Sequence, residues 1–203
     1  MKSHQSVLRV LAIPALSVFA PHLLAAEIVH ANSHLSSDHE IAAHWGSSLA
    51  ASGQAMIEIE PATGILRYLR VDVDGLAPDE LAHAGPNGAL GPIHFHNYPQ
   101  GGPQFFVQQL PGTISATERG LRLEVTDWKM DAPMVGQERG LTAAFVIQEI
   151  LDGNAYIGLH TTHTACPQNR ATGLENSCAA PGTAISGHIQ VLTQADQETL
   201  PKQ

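Results

Sequence analysis

The residues best suited to chemistry are histidines, of which the chain has 12 among 203 residues. His94 and His96 are two residues apart and alternate with Ile93 and Phe95. Residues two apart in a β-strand lie on the same face, so a strand here would present both imidazoles together. Imidazole is a ligand for copper, zinc, nickel and iron. The spacing therefore predicts a transition-metal site at His94 and His96.

One or two further ligands are expected from His83, His160 and His163. His163 is three residues past His160, a spacing that brings side chains together on a turn or helix but separates them on a strand. The alternative role of His83 and His160 is structural, with a ring nitrogen holding a loop carbonyl. The sequence does not decide between a ligand role and a structural role for these two histidines.

The strand of His160 is predicted to pair with a later strand in a closing hairpin. In that later strand Ile185, Ile189 and Val191 are assigned to the core, so His188 should point away from them. An exposed histidine on a strand needs no ligand role, and none is assigned to His188.

The metal predicted at this site is copper(II) or zinc. The chain contains none of the GxSxG, HExxH or P-loop patterns, so catalysis has little support. A copper-dependent redox enzyme is nevertheless one alternative, because His94-Phe95-His96 is weakly similar to the strand motif of superoxide dismutases.

The N-terminus has the pattern of a secretory signal peptide. Lys2 and Arg9 precede an apolar run that ends at Leu24-Ala25-Ala26, a small-residue cleavage pattern. Pro14 and Pro21 interrupt the run, which is short of the roughly 20 residues of a membrane span. We therefore expect residues 1–26 to be removed and the protein to be secreted or periplasmic, with no membrane span after cleavage.

Charge and length limit the classes of partner. Loss of residues 1–26 removes two basic residues and no acidic one, which takes the formal charge from −9 to −11 over 177 residues, the length of one domain. Nucleic acid and anionic membranes both require a basic patch, so neither is an expected partner. A metal cation suits this charge.

Cys166 and Cys178 are the two cysteines of the chain, within a loop-like segment rich in Pro, Gly, Asn and Ser. Export would place them in an oxidising compartment, so a disulfide between them is expected. The alternative is a pair of free thiols that act as metal ligands.

Short alternating segments with turn residues between them predict an all-β domain. A hairpin is expected around Pro61-Ala62-Thr63-Gly64, and further strands near residues 93–97, 105–110, 121–127, 155–161 and 184–192. Residues 140–152 fit a short helix or a strand. Residues 27–50 form a His-rich segment, assigned as solvated or as a loose metal scavenger, and residues 193–203 form a polar tail.

Several of these segments resemble the CHRD (chordin-type) domain family over roughly residues 50–192. The similar segments are Ser52-Gly53-Gln54-Ala55, Val73-Asp74-Gly75-Leu76, Leu81-Ala82-His83-Ala84-Gly85-Pro86, Tyr156-Ile157-Gly158-Leu159-His160-Thr161 and Ile185-Ser186-Gly187-His188-Ile189. The chain departs from the family at His83, where the family often has His-x-His before Gly-Pro, and in its additional histidines His94, His96, His163 and His188.

The resemblance implies one exported, all-β domain over residues 51–192, with the antiparallel sandwich or barrel of immunoglobulin-like or superoxide-dismutase-like proteins. It supplies no reaction. Because chordin binds growth factors, a second hypothesis for function is a non-catalytic surface module that binds an extracellular protein or glycan. The first hypothesis is a metal-binding exported protein.

Overall fold

The computed structural model describes residues 27–44, 47, 49–83, 90–97, 103–161 and 183–198. The strands in this part of the chain are β1 (Val29–Ser36), β2 (Ser52–Glu60), β3 (Ile65–Asp74), β4 (Ile93–Asn97), β5 (Val107–Gln109), β6 (Thr113–Ala116), β7 (Gly120–Lys129), β8 (Ala155–His160), β9 (Thr183–His188) and β10 (Gln190–Val191). The helices are α1 (Glu40–His44), α2 (Ala143–Leu151) and α3 (Gln194–Glu198), with 3₁₀ turns at Pro78–Glu80 and Gln137–Arg139.

The strands form one antiparallel sheet in the order β5-β4-β8-β9-β1-β2-β3-β7-β6, and β10 also pairs with β1. The sheet curls into a half-barrel, so the prediction of an all-β, single-domain fold is confirmed. None of the described helices is both long and apolar enough to cross a membrane.

The hairpin of β2 and β3 forms around the predicted turn at Pro61–Gly64. Gly64 has a φ of 70°, a conformation that glycine adopts without a steric penalty. Alternate side chains of β2, β3 and β7 point into the core, and the buried ones include Ile57, Leu69 and Leu123. The period of two that predicts these strands is therefore the pattern of their burial.

Residues 143–151 form a helix. Thr142 is its N-cap, with a hydroxyl that accepts a hydrogen bond from the Phe145 N–H at 3.4 Å. Val146, Ile147 and Ile150 lie on one face of α2 and are buried in the core of the half-barrel. The apolar spacing in residues 140–152 is thus helical, and the capping threonine marks its start.

The His-rich segment 27–50 contains an inner strand of the sheet. β1 pairs with β2 along its whole length and also contacts β9 and β10, and Ala31 and Leu35 are buried in the core. His34 is exposed, whereas His30 and His39 are half-buried. The sheet therefore begins well before residue 51.

The C-terminal strand differs from its prediction in two respects. β9 and β10 keep one register against β1 but are interrupted at Ile189, whose N–H donates to the Ala155 carbonyl at 2.9 Å. Val191 is 39% exposed, so its assignment to the core was wrong. α3 occupies part of the segment predicted as a loose tail. The predicted signal peptide lies outside the described residues.

Candidate metal centre

Three adjacent strands of the half-barrel, β4, β8 and β9, are buried on both faces. Every residue of β4 and β8, and all of β9 except His188, is buried. Ile93 and Phe95 of β4 face the main core. His94 and His96 lie on the opposite face, as the period of two predicts.

His94, His96 and His160 come together on that face. One ring nitrogen from each residue lies within 4.8 Å of those of the other two. The ring centroids are 5.3 Å apart for His94 and His96, 4.9 Å for His94 and His160, and 5.8 Å for His96 and His160. We call this group the His triad, and its three imidazoles are placed to bind one metal ion.

The backbone around β8 fixes the third member of the triad. β4 and β8 pair antiparallel, with His94 opposite Gly158 and His96 opposite Tyr156. The His160 N–H donates to the Pro92 carbonyl at 2.8 Å, and the His160 carbonyl accepts from the Ala82 N–H at 2.9 Å. These bonds hold His160 at the end of β8, beside the two histidines of β4.

Gly158 leaves the space in which the His96 ring lies. A Cβ atom at this position would be 3.1 Å from Cδ2 and 3.3 Å from Nε2 of His96, and 3.2 Å from Cγ2 of Thr183. These separations are shorter than ordinary van der Waals contact. A larger residue at position 158 would therefore displace the His96 ring.

Two aromatic rings stack on His96. Tyr156 stacks on it with a centroid distance of 5.1 Å and an interplanar angle of 12°, and Phe105 does so at 6.0 Å and 20°. Tyr156 is fully buried, and Phe105 is half-buried. The orientation of the His96 ring is thus set largely by stacking.

Asn97 places Phe105 beside the triad. Its side-chain amide donates to the Gln104 carbonyl at 3.0 Å and to Oε2 of Glu149 at 2.9 Å. Its side-chain oxygen accepts from the Phe106 N–H at 3.0 Å. Residues 104–106 are therefore tied to the end of β4, next to His96.

His94 and His96 are buried without hydrogen bonds from the described residues to their ring nitrogens. Burial and, to a smaller extent, the neighbouring His160 lower the pKa of His94, and the nearby Gly91 backbone opposes them, so that the pKa lies at about 3. Burial, followed by His94 and His160, lowers the pKa of His96 well below its usual value. Both imidazoles are neutral near pH 7, as metal ligation requires.

The remaining predicted ligands are placed differently. His83 is exposed and does not belong to the triad. His163, Cys166 and Cys178 lie outside the described residues. The triad therefore contains the predicted pair and one of its three predicted partners.

A second pair of histidines on the same side of the sheet was not predicted from sequence. The rings of His39 and His188 are 4.9 Å apart, Nδ1 of His39 lies 2.7 Å from Oγ of Ser186, and Nε2 of His188 lies 3.3 Å from Oε1 of Glu40. Burial, then His188, lowers the pKa of His39, while Glu40 raises it. Tyr156 contacts His188 edge to face at 6.4 Å and so separates this pair from the triad.

The aromatic and glycine residues around the triad were also missed by the sequence reasoning. Tyr156 and Gly158 fall within one of the segments that resemble the CHRD family, but nothing local marks them as neighbours of a metal site. Comparisons with protein-family models, curated proteins and solved structures find no match to the chain.

Proposed function

We propose that the chain is an exported protein of the periplasm or extracellular space that binds a transition metal, copper or zinc, through His94, His96 and His160. The observation that carries this proposal is the convergence of three buried ring nitrogens within 4.8 Å of one another. The CHRD resemblance and the signal-peptide pattern support export and supply no activity.

Burial is the main argument against a purely structural role for the triad. Buried polar atoms are nearly always hydrogen-bonded, because an unsatisfied one costs free energy. Both ring nitrogens of His94 and of His96 lack a partner among the described residues. Coordination of an ion would give one nitrogen on each ring a partner. A bound ion would therefore explain why two imidazoles lie side by side in a buried site.

Calorimetric titration of the purified protein with copper(II) and zinc(II) tests the proposal. We expect about one ion per chain with a dissociation constant below about 1 μM, and loss of this binding in the His94→Ala/His96→Ala variant. The control is His30→Ala/His34→Ala, which removes two histidines of β1 outside the triad. Equal binding by the wild-type protein and the His94→Ala/His96→Ala variant would contradict the proposal.

A metal-free binding module is the second candidate, and a groove over other strands on the same face of the sheet as the triad favours it. The groove has a volume of about 680 Å³ and crosses β1, β2 and β3, with Asn32, Gln54, Tyr68 and Arg70 among its lining residues. Polar and aromatic groups of this kind suit a glycan or peptide. Under this hypothesis the purified protein carries no metal, and a chelator leaves its melting temperature unchanged.

A further inference from the structure

The His triad provides three neutral ligands. An imidazole that coordinates a metal uses the lone pair of an unprotonated nitrogen, so it contributes no negative charge. Among the residues that the structure describes, no carboxylate or thiolate joins the group. An ion bound there keeps its full formal charge unless a further ligand is added.

In the part of the chain that the structure describes, the surroundings of the triad provide little compensation for that charge. His94 is fully buried, and His96 and His160 are 5% and 7% exposed. Tyr156 and Phe105 stack on the His96 ring, and Gly158 places no side chain beside it. Burial of an ion in such a site removes the water that would solvate it.

The cost of removing that water rises with the square of the ionic charge, so a divalent ion costs roughly four times as much as a monovalent ion of similar size. The number of ligands in the triad also favours a monovalent ion over a divalent one. Zinc bound by three protein ligands keeps water or another ligand in its fourth position, whereas the triad by itself offers three donors. A monovalent d¹⁰ ion such as copper(I) is satisfied by three.

From these observations, and resting on the proposed metal-binding function, we propose that the triad selects copper(I) over zinc(II) and copper(II). A divalent ion binds there more weakly, and an anion in the remaining coordination position, such as hydroxide or azide, strengthens its binding. The sequence alone predicted copper(II) or zinc. It could not show that the three histidines are buried, or that no carboxylate among the described residues joins them.

The test compares the affinities of the two closed-shell ions. Copper(I) is titrated anaerobically in competition with bicinchoninate, and zinc(II) in competition with 4-(2-pyridylazo)resorcinol, in a chloride-free, non-coordinating buffer at about pH 7. We expect a copper(I) dissociation constant at least about 100-fold below that of zinc(II). Azide should strengthen zinc binding and leave copper(I) binding unchanged.

Zinc(II) binding as tight as copper(I) binding, without azide and lost in the His94→Ala/His96→Ala variant, would overturn the charge selection and leave the metal site intact. Binding of both ions that survives in that variant would instead overturn the proposed function and this inference with it. The His39→Ala/His188→Ala variant is the matched control, because it removes a neighbouring histidine pair outside the triad.

A variant that adds charge gives an independent test. Phe105→Glu places a carboxyl group beside His96, and Phe105→Gln is its neutral control. We expect Phe105→Glu to reduce the preference for copper(I) by about tenfold relative to Phe105→Gln. An equal preference in the two variants would contradict selection by charge.

Discussion

The ring of Tyr156 lies nearly parallel to that of His96, 5.1 Å away and tilted by 12°. Metal-binding histidines are usually oriented by a hydrogen bond from the second ring nitrogen, and His96 has none from the described residues. Stacking between Phe105 and Tyr156 takes the place of that bond. The aromatic rings should therefore matter for affinity although they offer no ligand to the ion.

Replacement of Tyr156 tests this role. Tyr156→Leu removes the stacked ring, and we expect metal affinity to fall by up to about tenfold, since an aromatic pair contributes about 1 kcal/mol. Tyr156→Phe keeps the ring and should retain most of the affinity. Calorimetry measures both, with melting temperature as the check on folding. Equal affinities for the Leu and Phe variants would argue against orientation by stacking.

Gly158→Ala should weaken metal binding while the fold persists. The added methyl group would lie 3.1–3.3 Å from two atoms of the His96 ring. The His96 side chain can rotate to relieve this contact, but the rotation would move its nitrogens away from the position that metal binding requires. We expect a loss of affinity of about tenfold.

The contrasting variant is Gly187→Ala, whose Cβ would lie only 2.0 Å from the His34 backbone oxygen. This backbone contact cannot relax, so the variant should lower the melting temperature rather than affect metal binding selectively. The result that contradicts this prediction is a Gly158→Ala protein with unchanged affinity.

Acid should destabilise the metal-free protein. The pKa values of His94 and His96 are lowered in the folded state, to about 3 for His94, against about 6.5 in the unfolded chain. Above about pH 7.5 both residues are neutral in the folded and the unfolded state and contribute no pH dependence. As the pH falls from about 7.5 towards 3, the unfolded chain binds protons that the folded state does not, so stability is lost.

At pH 5.5 this loss is about 1 kcal/mol for each of the two histidines. Urea unfolding between pH 7.5 and 5 measures it. The His94→Gln/His96→Gln variant is expected to show a shallower decline. A decline as steep as that of the wild-type protein would mean that other groups cause it.

Asn97→Ala should affect both stability and metal binding. It removes two hydrogen bonds that tie residues 104–106 to β4 and a third that joins β4 to Glu149, and it leaves the buried Phe106 N–H without its partner. We expect a destabilisation of about 2 kcal/mol, together with weaker metal binding as Phe105 moves away from His96. Chemical unfolding and calorimetry report the two effects. Thr113→Ala, an exposed change in β6, should alter neither.

If the protein is exported as proposed, it should contain a disulfide between Cys166 and Cys178. Both residues lie between β8 and β9, in a connection from residue 161 to 182 that is long for a hairpin loop. Closure of such a loop should stabilise the protein by about 3 kcal/mol. Mass spectrometry after alkylation under non-reducing conditions decides the question. Two alkylated thiols would instead make both cysteines candidate ligands.

The strands that the sequence predicts well are those in which apolar residues recur regularly. β4 matches its predicted bounds because Ile93 and Phe95 face the core, and β3 is marked by a run of β-branched and aliphatic residues. β1 lacks such a signal, because Ser33 is one of its core-facing residues. β6 is short and almost entirely exposed, so no burial pattern identifies it.

From the sequence, only the ligands that are close together in the chain could be predicted to share a site. His94 and His96 are neighbours on one strand, and their common direction follows from the period of two. The choice of His160 rather than His83 as the partner depends on the pairing of β4 with β8, a contact between distant parts of the chain. Tyr156 and Gly158 owe their places beside His96 to the same pairing.

The two strands at the ends of the sheet, β5 and β6, have three and four residues. The peptide group of Val107 in β5 already exchanges hydrogen bonds with Val135. An incoming β-chain needs a long row of unused backbone donors and acceptors, and the described part of this sheet offers only a few at either end. A half-barrel can thus remain open without acting as a template for aggregation, and its resistance to fibril formation should depend on these short ends rather than on closure.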